Sequence, residues 1–151
     1  MIDIQISDDY KNDIQEKIVA NAVEATIRNL KKDINCEITV VIDNDEFIKE
    51  INKNFRGIDN PTDVLSFPSN EINPETGNVY QGDIIISYPT AVKQAVQYEH
   101  SIMDEIQLLV VHGTLHLFGY DHAEEIEKTK MWAIQAEILA ELGCKITRLP
   151  E

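Results

Sequence analysis

Apolar and polar residues alternate along residues 2–6 (IDIQI), where every second side chain is an isoleucine. This period of two is typical of a strand with one buried face. After Ser7 the apolar residues recur at helical spacing and form one stripe, which comprises Ile14, Ile18, Ala22, Ala25 and Leu30. We therefore predict a strand over residues 2–6, followed by a helix that Ser7 caps and that ends near residues 31 and 32.

Three further segments have strand patterns and four have helical patterns. The strand patterns lie at 36–42, 63–67 and 82–87, and the helical patterns lie at 43–54, 90–98, 102–117 and 123–142. Strands that are flanked by helices and show few hairpin signals are typical of an α/β or α+β layer. We expect one domain over residues 1–151, in which about five helices cover a small mixed four-stranded sheet.

Turn-forming residues interrupt this pattern between the third and fourth strands. Pro68 is expected to end the third strand, and residues 69–81 contain Asn-Pro and Thr-Gly pairs. Such pairs are typical of an exposed, hairpin-like loop. Gly143 follows the last helical pattern, where a glycine commonly ends a helix.

The composition restricts the classes of partner. Lys and Arg number 13 against 27 Asp and Glu, which gives a formal charge of −14. Because phosphate binding is mainly electrostatic, this charge argues against a broad basic surface for nucleic acid, and any such role must depend on a local site. No window reaches the roughly 18 apolar residues of a membrane span, and the N-terminus lacks the features of a signal peptide. We expect a cytoplasmic protein with no membrane partner.

Three of the four histidines lie within residues 112–122 (HGTLHLFGYDH). On a helix, His112 and His116 would share one face, one turn apart. Gly119 can end that helix with a left-handed turn, which would return His122 to the same point. Three imidazoles around a divalent ion leave a position for water, as in catalytic zinc sites. The fourth histidine, His100, has no other histidine at metal-ligand spacing and is expected at a helix end or on the surface.

This spacing matches the ligand positions of the metzincin motif HExxHxxGxxH, but Gly113 replaces the glutamate that serves as general base. A peptidase without that base would be severely handicapped. A glycine inside a helix costs about 1 kcal/mol relative to alanine, so its presence requires a reason. We hypothesise that Gly113 clears space beside the metal for a bulky substrate.

A second segment that could take part in catalysis or binding is residues 52–68 (NKNFRGIDNPTDVLSFP). Arg56 lies just before a turn-rich link into a strand that carries Thr62, Asp63 and Ser66. An arginine in a cleft can hold a phosphate by two parallel hydrogen bonds and stabilise charge that develops there. Taken alone, Arg56 is expected to be a surface or ion-paired residue, and Thr62, Asp63 and Ser66 are candidates for contact with a substrate.

Taken together, these blocks closely resemble the YbeY family of bacterial rRNA maturation endoribonucleases. The resemblance is carried by Asn52, Arg56, the segment PTDVLSFP at 61–68, GDI at 82–84 and the histidine segment at 112–122. It is strong over residues 52–122 and looser towards both ends. It implies an α+β fold with a metal site at the end of a central helix.

The resemblance also implies an activity and partners. It predicts one Zn²⁺ per chain, held by His112, His116 and His122, and cleavage of single-stranded RNA in which Arg56 and His112 are essential. The implied process is 3′-end maturation of small-subunit rRNA and ribosome quality control. The implied partners are the ribosomal small subunit, a ribosomal protein and an assembly GTPase, with no DNA.

Several alternatives stay open at this stage. Metal-bound hydroxide or Asp121 could act as the general base, or a neighbouring RNA 2′-hydroxyl could act as the nucleophile, although Asp121 is better placed to fix the turn before His122. The protein could instead hydrolyse another substrate, including peptides, or act as a non-enzymatic ribosome-assembly factor. Because of its charge, we expect weak affinity for naked RNA and delivery by a partner.

Overall fold

Four strands form one mixed sheet in the order β1-β2-β4-β3 in the computed structural model, which describes residues 1–144 and 146. Strands β1, β2 and β4 are mutually parallel, and β3 runs antiparallel to β4 at one edge. The strands are β1 (Ile2–Ile6), β2 (Glu37–Asp43), β3 (Val64–Ile72) and β4 (Val79–Ser87). The predicted small mixed sheet of an α+β fold is confirmed.

The described residues form five helices around this sheet, as predicted. They are α1 (Glu16–Asn29), α2 (Asp45–Arg56), α3 (Tyr88–Gln97), α4 (Ile102–Leu117) and α5 (Glu125–Glu141). Helix α4 is central, because it contacts α1, α3, α5, β3 and β4. Its residues 105–115 are all buried. No helix in the described part of the chain is both long and apolar enough to cross a bilayer.

The alternation along the strands divides the apolar residues between two faces of the sheet. Ile84 and Ile86 belong to the main core with α4, whereas Ile85 packs with Ile48 of α2 and Leu65 on the opposite face. This arrangement follows from the period of two along a strand, which sends neighbouring side chains to opposite faces. The ends of α2 and α4 are thereby brought to the edge formed by β3.

The predicted start of α1 at Ser7 is wrong. The Ser7 N–H still donates to the Ile42 carbonyl at 3.0 Å, so this residue continues the strand pairing of β1. Successive turns follow, and α1 begins only after Gln15, which is extended and makes no side-chain cap. Because pairing with β2 already fixes the backbone of Ser7, its side chain only accepts a weak local bond from the Asp9 N–H at 3.4 Å.

The predicted end of the third strand at Pro68 is also wrong. Strand β3 continues through Pro68 to Ile72, with a shift of register between Pro68 and Glu71. A proline is tolerated there because β3 is an edge strand and the missing N–H need not pair. Residues 69–81 thus form a paired hairpin arm with a short turn at 73–78, and only that turn is a loop.

Candidate metal centre

The three histidines of residues 112–122 converge at the C-terminal end of α4. Gly119 adopts a positive φ of 92°, and its N–H donates to the His116 carbonyl at 3.0 Å. The Tyr120 N–H donates to the Leu115 carbonyl at 3.1 Å. This pair of bonds is the Schellman arrangement that ends a helix and reverses the chain. The reversal predicted at Gly119 is therefore confirmed, and it returns His122 to the side of α4 that carries the other two rings.

The imidazole rings face one another closely enough to share an ion. Ring centroids lie 4.6 Å apart for His112 and His116, and 5.3 and 5.2 Å from each of these to His122. One nitrogen from each ring lies within 4.8 Å of the other two. The Nε2 atoms of His112 and His116 are 3.1 Å apart, close to the separation of about 3.3 Å expected for two nitrogens on one tetrahedral zinc.

Gln135 of α5 fixes the orientation of His112. The His112 Nδ1 atom lies 3.0 Å from the Gln135 Oε1 atom, and both side chains are buried. Since an amide oxygen only accepts, Nδ1 carries a proton and donates it, so Nε2 is the nitrogen of His112 that can coordinate a metal. The sequence reasoning missed Gln135. The available signal was a lone polar residue on the apolar stripe that Met131 and Ile138 form.

The protonation state of His116 also suits a metal ligand. Burial of the ring lowers the pKa of His116, and the neighbouring His122 lowers it further. A lowered pKa favours the neutral imidazole, which is the form that coordinates metals. Three rings that face one another, of which His116 favours the neutral form, thus fit a divalent cation of the kind that accepts nitrogen ligands, such as zinc.

A cleft of about 520 Å³ opens from the histidines towards the end of α2. Its wall includes Arg56, the last residue of α2, after which Gly57 turns the chain at a φ of 71°. The buried Asn52 holds this turn through a bond from its Nδ2 atom to the Asn60 carbonyl at 2.8 Å. Among the described residues, Arg56 forms no ion pair, so its guanidinium is available to an anion in the cleft.

The structure places Thr62, Asp63 and Ser66 in the same cleft wall. The Ser66 hydroxyl donates to the Gly113 carbonyl at 3.0 Å and thereby ties β3 to α4. One Asp63 oxygen accepts the Val64 N–H at 2.7 Å and lies 3.5 Å from the Thr62 hydroxyl. Contact between these side chains and a substrate stays a prediction.

Asp121 lines the cleft beside the third histidine. Its Oδ1 atom accepts the backbone N–H of His122 at 2.7 Å. This bond is the turn-fixing role that the sequence suggested for Asp121. A carboxylate engaged in this way helps to hold His122 in position and places a negative charge near the three rings.

The hypothesis that Gly113 clears space for substrate is wrong. Gly113 is buried and faces the sheet, and an added Cβ would lie 2.8 Å from the Ile84 Cγ2 atom and 3.2 Å from the Ser66 Oγ atom. The glycine is required because α4 packs against β3 and β4 at very short range. A glutamate at this position would point into the sheet, so the metzincin base has no counterpart here.

His100 lies just before α4 and takes no part in the metal centre. Its Nε2 atom pairs with the Glu105 Oε1 atom at 2.6 Å, and the two side chains are only 9% and 0% exposed. Of the two predicted positions, the helix end is therefore confirmed and the surface is not. The sequence pattern contains no sign that the carboxylate five positions later is buried and holds this ring.

Comparisons with known proteins agree on one family. The family model described as Endoribonuclease YbeY matches residues 2–143. A curated Endoribonuclease YbeY from Shouchella clausii is 36% identical over 154 residues, covering 95% of this chain and 96% of the relative. The protein of the same name from Persephonella marina is 43% identical over 136 residues, with coverages of 89% and 88%.

The fold also matches a solved structure. The solution structure of TM1509 from Thermotoga maritima superposes with a TM-score of 0.63 at 32% sequence identity. The match covers 94% of this chain and 89% of the other. The likeness therefore extends over nearly the whole chain and is not confined to the histidine segment.

Proposed function

Because this chain belongs to the Endoribonuclease YbeY family, we propose that it is a zinc-dependent endoribonuclease that cleaves single-stranded RNA. The observation that carries the proposal is the placement of three convergent imidazoles and Arg56 on the walls of one cleft, where Arg56 forms no ion pair with any residue that the structure describes. A phosphodiester bound there would meet a metal-binding point and a guanidinium at the same time.

The residues divide into those that hold a metal and those that hold the phosphate. His112, His116 and His122 would bind the ion, with the tautomer of His112 set by Gln135. When bound, zinc supplies Lewis-acid polarisation of a phosphoryl oxygen and lowers the pKa of water towards neutrality. Arg56 binds the non-bridging oxygens and offsets the charge that develops on them.

The proposed cellular role is 3′-end maturation of small-subunit rRNA and ribosome quality control, in the cytoplasm. The formal charge of −14 supports delivery of this RNA by a partner, because the protein repels a polyanion at long range. A ribosomal protein and an assembly GTPase are the partners that we propose. Mapping of rRNA 3′ ends in cells that carry Arg56→Gln tests the role, since unprocessed ends should accumulate.

Cleavage of a labelled single-stranded RNA by the purified protein tests the activity. Chelation should abolish cleavage and zinc should restore it, while casein should stay intact under the same conditions. Arg56→Gln should lower kcat by about 10²–10³-fold, the usual loss when one group that stabilises the transition state is removed. Metal content, measured in parallel, should be unchanged in this variant because Arg56 is not a ligand.

Arg28→Gln is the matched control, because Arg28 pairs with Glu141 on the surface, 3.5 Å away, and does not line the cleft. It should retain wild-type cleavage. The proposal is wrong if chelation leaves RNA cleavage intact, or if Arg56→Gln and Arg28→Gln have the same effect. Cleavage of casein instead of RNA would support the peptidase alternative.

A further inference from the structure

A second cavity adjoins the cleft at the turn that ends α4. It has a volume of about 400 Å³ and shares Pro68, His116 and Gly119 with the wall of the first. The two cavities therefore meet at the turn that ends α4, where the histidines converge. A polymeric substrate bound in the first cavity would therefore have the second cavity within reach.

The charge around the second cavity differs from that of the rest of the molecule. The described residues that line it are Lys32, Pro68, Asn70, Gln81, His116, Leu117, Phe118 and Gly119. No carboxylate is among these residues, although the chain has 27 acidic residues, and the first cavity contains both Asp63 and Asp121. Lys32 is exposed and, within the described part of the chain, forms no ion pair. Its ammonium group is thus free to bind an anion.

The backbone at Lys32 is held by the end of α1. Lys31 adopts a positive φ of 56°, the Lys31 N–H donates to the Arg28 carbonyl and the Lys32 N–H donates to the Ile27 carbonyl, each at 3.1 Å. These bonds form a Schellman turn, so the two lysines point from a defined corner and not from a loose loop. Of the two, only Lys32 lines the cavity.

We propose that this second cavity is a subsite for a nucleotide that flanks the scissile phosphate, with Lys32 bound to the phosphate of that nucleotide. The half-buried ring of Phe118 lines the same cavity and is anchored on the main core. Basic and aromatic side chains that line one groove are the groups with which proteins bind single-stranded nucleic acid with little sequence preference. The inference rests on the proposed RNA substrate. It adds the place where a nucleotide next to the scissile phosphate binds.

Binding of a fluorescent single-stranded RNA of about ten nucleotides, followed by anisotropy with chelator present, tests the subsite without cleavage. Lys32→Glu should weaken binding about five- to tenfold for all sequences alike, and should lower the slope of log affinity against log salt by about 0.7. Lys31→Glu makes the same charge change one residue away and should weaken binding less than about twofold, because it acts only through screened long-range repulsion.

A second test measures KM and kcat for RNA cleavage by the zinc-loaded enzyme. Lys32→Glu should raise KM by a similar factor and leave kcat unchanged, because Lys32 holds a flanking phosphate and not the reacting one. Lys32→Arg should behave as the wild type. Equal effects of Lys32→Glu and Lys31→Glu, or no effect of either, would overturn the subsite.

These outcomes separate the subsite from the activity itself. If the wild type cleaves RNA, and cleavage depends on Arg56, while Lys32→Glu changes neither RNA binding nor KM, only the subsite is wrong. If RNA is bound in a Lys32-dependent way but never cleaved with any metal, the proposed endoribonuclease activity is wrong and the subsite stands. If RNA is not bound at all, the subsite is overturned whatever the activity.

Discussion

At the scale of single residues, Gln135 is the least expected member of the site. It is fully buried, and its Oε1 atom accepts from His112, while its Nε2 atom has no hydrogen-bond partner among the described residues. An unpaired buried amide destabilises the folded protein by about 1–3 kcal/mol. The retention of a glutamine at such a position is explained if the orientation of His112 matters more than stability.

Replacement of Gln135 by methionine should therefore weaken metal binding without unfolding the protein. We expect Gln135→Met to lower zinc affinity about 10–100-fold, the usual effect of removing a hydrogen-bond partner of a ligand. The free energy of unfolding of the metal-free protein should change little, because the lost bond is offset by removal of the unpaired Nε2 atom. Competition with a chromophoric chelator measures the affinity, and the Co²⁺ absorption spectrum reports the ligand geometry.

Gln107→Met is the matched control for this prediction. Gln107 is also nearly buried, but its amide donates to the Met103 carbonyl one turn earlier in α4 and away from the histidines. This variant should keep wild-type zinc affinity. Gln135→Glu, which keeps an acceptor for His112, should retain affinity far better than Gln135→Met; equal losses in both would show that Gln135 only fills space.

At the scale of elements, the turn after α4 decides whether the third ligand reaches the other two. Gly119 has a φ of 92°, and a Cβ added to it would meet nothing within 4 Å, so only the backbone conformation requires glycine there. For a residue with a Cβ this region costs about 1–2 kcal/mol, and asparagine tolerates it better than alanine. The strain would be relieved by unwinding the turn, which would move His122.

We expect Gly119→Ala to weaken zinc binding at least tenfold, and Gly119→Asn to weaken it clearly less, on the basis of about 1–2 kcal/mol of backbone strain. Isothermal titration with zinc on the two variants measures the difference. Gly77→Ala introduces comparable strain at a φ of 75° in the distant hairpin turn, and it should lower stability without changing zinc affinity. Identical zinc affinities for Gly119→Ala and the wild type would contradict the role of this turn.

How far the sequence predicted these elements depends on whether the signal was local. The reversal at Gly119 and the bounds of α4 follow from residues that are neighbours in sequence, and both predictions hold. The roles of Ser7, Pro68 and Gly113 are set by distant partners, namely pairing with β2, the edge position of β3 and contact with Ile84. The spacing of residues along the sequence does not reveal contacts with distant residues, so these three interpretations were wrong.

The same limit applies to the candidate site. The three histidines could be found because eleven consecutive residues contain them, and Asp121 because it adjoins a ligand. Gln135 could not be connected to His112, since the two are 23 positions apart and meet only when α5 packs on α4. Arg56 was located by its block, but its lack of an ion pair among the described residues became visible only in the fold.

At the scale of the whole molecule, the metal centre lies at the margin of a core that does not include it. The main core joins α1, α4, α5 and the face of the sheet that packs against α4. Large buried side chains such as Ile27, Ile86 and Leu109 form it. All three candidate histidine ligands come from residues 112–122, so a bound ion would close only a short loop. A structural zinc site, in contrast, usually contributes folding energy by fixing the fold itself.

Metal removal should therefore leave the protein folded. We expect the chelated protein to keep its near-UV and far-UV circular dichroism at 25 °C, with a Tm lower by about 5–10 °C than at zinc a hundredfold above its Kd, which corresponds to about 2.7 kcal/mol. His116→Ala should have no zinc-dependent Tm shift of this size, because one of three ligands is gone. Loss of the near-UV signal on chelation would instead mean that the ion holds the fold together, and it would favour a non-enzymatic assembly factor over an endoribonuclease with an exchangeable metal.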